Sequence, residues 1–379
     1  MFIHTVTARR VRLLAAAGAL ILCGAAVFLY PSAAAAGASR GMTLCSSVII
    51  PSLLPFLVLC GTFLHSALCK AAGRVLRRPT ALFFRLPGCC GAPVLMAFVG
   101  GYPAGAAAIA TLLERREITE KDAERMLHFC VCAGPAFTVG AVGSGMLGSA
   151  ARGWLLLAAQ WGSALLIALF EARFAKKPAK VPPTGDTPLP FSAAFAAAVN
   201  STCLSLLYMC GFVVLFSVLL SLLDGSGLAE RLYALSPYAA SLTAGALEVS
   251  SGCLSACADA PVSYFLLGFL LGFAGISVQC QVRALLRAHP VVCRRLFTYR
   301  LLHGLLTGLL AVLLFSVVPL PAAVIAADAA RIQWFTVSPY ASLAMLAMCM
   351  TAYFSVGIDK SRCGWYTDIM SEKGVFPLW

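Results

Sequence analysis

Two short interruptions in otherwise apolar sequence limit what this chain can become. One reads Phe98-Val-Gly-Gly-Tyr-Pro-Ala-Gly105. The other reads Gly245-Ala-Leu-Glu-Val-Ser-Ser-Gly252 and carries a lone carboxylate, Glu248. Glycine permits non-helical dihedrals and proline removes a backbone donor, so such segments weaken a helix. Inside lipid, non-helical backbone is tolerated only where it is buried in protein or lines a cavity. Two breaks at matching places in two halves point to a substrate site near the membrane midplane.

The setting is a membrane. Of 379 residues, 60% are hydrophobic and 11% charged, whereas about a quarter of a soluble domain is charged. A span needs about 20 apolar residues, and several runs reach that length. The expected fold is all-α and polytopic, with about eight spanning helices plus two re-entrant hairpins in an inverted repeat. The spans read Leu13–Tyr30, Thr43–Cys69, Met126–Ala150, Gly153–Phe170, Phe191–Leu223, Pro261–Gln279, Leu301–Ala327 and Trp334–Phe354. The hairpins are Pro87–Leu113 and Ser236–Ala258. Phe191–Leu223 exceeds what a bilayer needs, so its start is expected along the interface.

Charge placement supports this plan. With a cytoplasmic N-terminus, 24 basic residues fall in inside segments: those before Leu13, Lys70–Arg85, Glu114–Arg125, Arg173–Lys180, Arg283–Arg300 and the tail. Only Arg40, Arg152, Arg231 and Arg331 fall outside, a strong positive-inside signal. Were either hairpin a full span, everything after it would flip. The net charge of +13 is thus topological. No basic–aromatic surface stretch of the nucleic-acid-binding kind occurs, so no nucleic-acid partner is expected.

The organisation reads as N-terminal spans and a basic loop (1–86), a first hairpin-bearing half (87–172), a proline-rich linker (173–190), a second half (191–327), and a last span with tail (328–379). Each half has a hairpin followed by a span broken at Ala-Gly: Ala133-Gly134-Pro135 and Ala274-Gly275. Thr119 with Asp122 reads as a capping box starting a helix. Arg9, Arg10 and Arg12 before an 18-residue apolar run resemble a secretory signal. That run exceeds the usual signal core of about 7–15 residues, so an uncleaved first span is favoured.

Sixteen cysteines lie mostly within apolar runs, with no CxxC and scattered histidines. They read as small apolar helix residues rather than zinc or disulfide frameworks. No metal and no cofactor is expected. Nor is an enzyme: no HExxH or P-loop appears, and His128 and His303 show no evident carboxylate partner.

Candidate substrate-binding residues follow from the breaks: Gly101, Tyr102, Pro103, Gly105, Gly134, Pro135, Glu248, Ser250, Ser277 and Gln279. At Gly101 to Gly105 the plainer alternative is close packing between helices. At Gly134-Pro135 it is a proline kink; the functional reading is a half-helix whose N-terminus attracts an anion. Glu248 is costly in lipid and so points to function. It can coordinate a cation, carry a coupling proton or bind a substrate donor. Asp259 is expected at the outer surface. No Lys or Arg lies within either hairpin, so a substrate carboxylate would rest on helix N-termini and free amides.

Pro51-Ser-Leu-Leu-Pro-Phe56, Gly101-Tyr-Pro-Ala-Gly105, the charged helix, Gly134-Pro-Ala-Phe137, Glu248 and Gly275-Ile-Ser-Val-Gln-Cys-Gln281 occur in this order. Over roughly residues 10–315 the chain resembles the sporulation integral membrane proteins of the YlbJ type, which carry the nucleoside-recognition Gate domain. The resemblance implies a transporter-like protein of endospore formers that moves dipicolinic acid out of the mother cell across the outer forespore membrane. It also implies that Tyr102, Pro103, Gly105 and Glu248 line the site. Where the family has asparagines before Gly-Pro, this chain has Cys130-Val-Cys-Ala133, which removes polar ligands. The expected partners are a small-molecule substrate and membrane lipid. A cation-coupled nucleoside-like carrier, a non-transporting scaffold or sensor, and a homo-oligomeric state stay open.

Overall fold

A computed structural model describes residues 2–175, 189–258 and 262–318. They are helical, with no named β-strand among them. The chain begins with α1 (Phe2–Leu29) and α2 (Pro31–Leu44). The two meet at about a right angle, 100°, at Tyr30-Pro31. Pro31 starts α2 at a position where its missing N–H costs no helical bond. A π-helical turn, Cys45–Ile49, leads to α3 (Ile50–His65), and Ser66 caps α4 (Ala67–Pro79) by accepting from the Leu68 N–H.

The expected hairpin Pro87–Leu113 is formed by α5 (Gly91–Gly100) and α6 (Tyr102–Glu114). The turn falls at Gly101, whose φ of 84° suits only a residue without Cβ. Ala97 packs against Gly105 across this tip. On one helix, residues eight apart would sit ~12 Å from each other, so the chain has folded back.

Thr119 then opens α7 (Glu120–Phe129) with the expected capping box: its hydroxyl accepts from the Asp122 N–H, and the Asp122 carboxylate from the Thr119 N–H. The span expected over Met126–Ala150 is not continuous. Helix α7 stops at Phe129, residues 130–134 are non-helical, and a π-helical segment runs Ala136–Met146. Pro135 starts the next helical segment, where its missing N–H costs no helical bond.

Two long helices follow, α8 (Ala150–Phe174) and α9 (Phe191–Gly225). The second is one helix of 35 residues. After α10 (Leu228–Leu235), the hairpin expected at Ser236–Ala258 is formed by α11 (Pro237–Leu247) and α12 (Val249–Ala258). The hydroxyls of Ser241 and Ser255 meet at 2.7 Å, a contact that fourteen residues of straight helix, ~21 Å, would forbid. Helices α13 (Tyr264–Phe273) and α14 (Gly275–Leu285) divide the span expected over Pro261–Gln279, with Ala274 and Gly275 both at positive φ. The described chain ends with α15 (Leu296–Val317). Asp259, the span Trp334–Phe354 and most of the linker lie outside the described residues.

By length and apolarity, four helices among the described residues can cross a membrane, or up to six if two bent pairs each count as one span. The expected number of about eight is larger. Part of the difference is Met126–Ala150, which breaks as described, and part lies outside the described residues.

One buried core joins the two halves, drawing on α5 to α8 and α12 to α15, while α2, α3 and α9 pack into a second cluster that takes in Ala104. Surface contacts sort to two ends. At one, Arg85 donates to the Ala175 carbonyl, Arg125 to those of Phe84 and Arg85, and Glu120 and Glu124 pair with His289 and Arg295. At the other, Arg40 reaches Ser221 and Asp224.

Candidate functional site

Each hairpin tip rests on the backbone break that follows it. A Cβ at Gly101 would stand 3.1 Å from the Gly134 nitrogen, and one at Gly134 would stand 2.8 Å from the Val99 carbonyl. Gly105 lies against the Cys130 carbonyl. In the second half a Cβ at Gly275 would stand 3.0 Å from the Gly245 carbonyl and 3.2 Å from the Val249 nitrogen. Glycine is required at these positions because backbone touches backbone.

The expected site residues divide between the two junctions. Gly101, Tyr102, Pro103, Gly105 and Gly134 are buried at the first, with Pro135 half-buried at the start of the π-helical segment. Glu248, Ser250, Ser277 and Gln279 are buried at the second. Tyr102 links the two. Its hydroxyl donates to the Leu271 carbonyl of α13 at 2.6 Å, and Gln160 of α8 donates to the same oxygen at 2.9 Å. Gln279 reaches the Phe273 carbonyl at 3.4 Å, and Ser277 accepts from Gln281 at 3.3 Å.

Glu248 is 2% exposed, and its own helix takes up both oxygens. Oε1 accepts from the Ser250 N–H at 3.0 Å and Oε2 from the Ser251 N–H at 2.7 Å. The carboxylate is therefore the N-cap of α12, placed where the helix dipole favours negative charge. It occupies the end that a substrate anion would otherwise use. Helices α6, at the first tip, and α14, at the second break, begin without a side-chain cap.

The structure adds residues that sequence reasoning missed. Arg300 is fully buried on α15, although it reads in sequence as the end of a basic loop. Its guanidinium donates to the carbonyls of His128 and Val131 and to His303 Nδ1, the last at 3.0 Å. Since Nδ1 accepts, Nε2 carries the hydrogen and donates to the Gln160 carbonyl at 3.1 Å. Ser163 and Thr307 share a hydrogen bond of 2.7 Å beside them. A polar chain thus runs from the first break through Arg300, His303 and Gln160 to Leu271, just before the second break. Its signature is legible in sequence: Arg300, His303, Gly304, Thr307, Gly308 and Ala311 share the buried face of α15.

His128 does have a carboxylate partner. Its Nδ1 lies 2.6 Å from Glu171 Oε1, and its ring stacks on Tyr299. Among the described residues no cluster of three or more His, Cys, Asp or Glu can hold a metal, and no disulfide joins the described cysteines.

Among curated proteins, the chain is similar to the sporulation integral membrane protein YlbJ of Bacillus subtilis (strain 168). The two are 28% identical over 327 residues, 77% of this chain and 80% of the relative. That similarity supports a relative of the YlbJ type. No family model and no solved structure matches it.

Proposed function

We propose that the chain is a secondary transporter of a small organic anion, with dipicolinate leaving the mother cell during sporulation as the substrate. The carrying observation is the contact of each hairpin tip with a second backbone break, twice in one buried core. Non-helical backbone at membrane depth is kept where it lines a substrate path. A stack of packed helices alone has no use for two such junctions joined through Tyr102 and Leu271.

The element order supports two related halves. Helices α3 and α4, the α5–α6 hairpin, the α7 break and α8 are followed by α9 and α10, the α11–α12 hairpin, the α13–α14 break and α15. In the proposed arrangement the hairpins enter from opposite faces of the outer forespore membrane, with the N-terminus cytoplasmic. The uncapped start of α14 offers free amides to an anion. Energy comes from a gradient or a partner.

A cation-coupled carrier of neutral, nucleoside-like molecules draws support from one further observation. Gln160, Gln279, Gln281 and Ser277 are buried amide and hydroxyl groups near the breaks, which suit hydroxyl-rich ligands.

The test is uptake. Purified protein in liposomes is expected to accumulate labelled dipicolinate and to ignore labelled nucleosides. Accumulation of nucleosides alone would move the assignment to the second reading. Absence of any uptake, with a protein partner recovered instead, would make the chain a scaffold or sensor.

A further inference from the structure

Arg300 is a buried cation without a carboxylate. Its side chain is 0% exposed, and among the described residues no Asp or Glu forms an ion pair with it. Taking a guanidinium out of water is costly unless an opposite charge and a full set of acceptors replace the solvent. The acceptors supplied here are neutral: two main-chain carbonyls and one imidazole nitrogen.

The set is also incomplete. A guanidinium carries five N–H groups, and three are matched to the carbonyls of Val131 and His128 and to His303. Nε is buried and has no hydrogen-bond partner. One N–H on Nη2 is likewise left over. Nearby, Gln160 Oε1 is buried with no partner, although the same amide's nitrogen holds the Leu271 carbonyl. Both groups therefore combine fixed anchoring with unspent capacity.

Position gives these vacant donors a meaning. Val131 belongs to the non-helical stretch that carries Gly134, and Gly134 touches the tip at Gly101. Arg300 thus grips one break directly, and through His303 and the Gln160 carbonyl it is tied to Tyr102 and Leu271 near the other. Carbonyls at the end of α7 partly offset its charge through the helix dipole, but that effect amounts to a fraction of a charge. A whole negative charge is still missing.

We propose that Arg300 is the specificity-determining cation of the transport site. It recognises one carboxylate of the substrate through its Nε–H and its remaining Nη2–H, while His303 holds the guanidinium in place. The reading rests on the transport function proposed above. It deepens that function by assigning the anion preference to one residue on α15 rather than to helix N-termini alone. Arginine suits the role because its planar fork matches a carboxylate in two-point contact, which lysine cannot do.

The experiment compares ligands and variants in detergent and in liposomes. Wild-type protein is titrated with dipicolinate, with picolinate, which keeps one carboxylate, and with the neutral diamide of dipicolinate. Binding is followed by thermal stabilisation. The two carboxylates are expected to bind and the diamide not. Arg300→Lys keeps a charge but loses the fork, and is expected to weaken dipicolinate binding about tenfold. Arg300→Gln is expected to weaken it about thirtyfold or more, the loss usual for one partner of a buried charged hydrogen bond. His303→Gln is expected to weaken it less than Arg300→Gln.

Equal binding of dicarboxylate and diamide by the wild type overturns the proposal even if every Arg300 variant fails to fold. Unchanged dipicolinate KM in folded Arg300→Lys and Arg300→Gln, with wild-type uptake intact, overturns it and leaves the transport reading standing. Wild-type protein that neither binds nor accumulates any of the three ligands overturns both.

Discussion

Glu248 caps its own helix, and that fact has to be separated from any part it takes in transport. Glutamine at 248 would keep one acceptor oxygen and present an amide nitrogen to one of the two backbone N–H groups now satisfied. Loss of a cap costs about 1 kcal/mol, partly offset because a neutral amide is cheaper to bury than a carboxylate. Glu248→Gln is therefore expected to lower stability by no more than about 1 kcal/mol, read as a small drop in melting temperature in detergent, and to abolish dipicolinate uptake by the folded fraction. Wild-type uptake per folded molecule would reduce Glu248 to a cap. The sequence marks this residue because it is the lone carboxylate of an apolar hairpin. Its capping role is hidden there, since it depends on the chain turning at that residue (φ −142°, ψ 120°). Arg300 is hidden for another reason. Five basic residues over Arg283–Arg300 read together as one cytoplasmic loop, and only the helical spacing of Arg300, His303 and Thr307 separates the last of them. The His128–Glu171 pair spans 43 positions, so no local pattern points to it.

At the level of elements, α13 and α15 cross on glycines. Gly268 and Gly272 of α13 cross Gly304 and Gly308 of α15. A Cβ at Gly304 would stand 2.9 Å from the Phe269 carbonyl, and one at Gly308 would stand 2.8 Å from the Phe265 carbonyl. Small residues at such crossings let backbones approach and gain dispersion contact, which matters where lipid removes the hydrophobic drive between helices. Gly304→Leu is expected to force α13 off α15, at a cost of about 1–3 kcal/mol or more from overpacking, and to displace Ala274 and the second break. Gly162→Ala on α8 is the control, because its Cβ would find only the Leu310 side chain, at 3.5 Å. Melting temperature and uptake should both fall for the first variant and stay near wild type for the second; equal behaviour of the two would refute the crossing. The breaks themselves were open to sequence reasoning, because Gly-Gly-Tyr-Pro, Gly-Pro and Ala-Gly are local chemistry. The extent of the break after Phe129 was not. Residues 126–150 are uniformly apolar enough for a span, and the π-helical turn pattern of Ala136–Met146 leaves no periodic mark in a glycine-rich run.

For the whole molecule the question is which way the two ends face. The charged contacts gather the start of α7, the stretch before α15, Arg85 and Ala175 at one end, and Arg40 and Asp224 at the other. The count of basic loops would put the first group inside and the second outside. Burial of Arg300 removes one charge from the basic side and leaves the asymmetry in place. Lys121 and Ser226 are exposed, one at each end. In a cysteine-free background, Lys121→Cys is expected to react with a membrane-impermeant maleimide only after cells are permeabilised, while Ser226→Cys reacts in intact cells. The positive-inside bias requires this outcome, since placing the end that holds Arg85, Arg125 and Arg295 outside would translocate most of the basic loops. Labelling of both positions from one side would mean that an odd number of crossings does not separate them. The hairpins would then enter from the same face, and the paired breaks could no longer serve as the two gates of one alternating-access pathway.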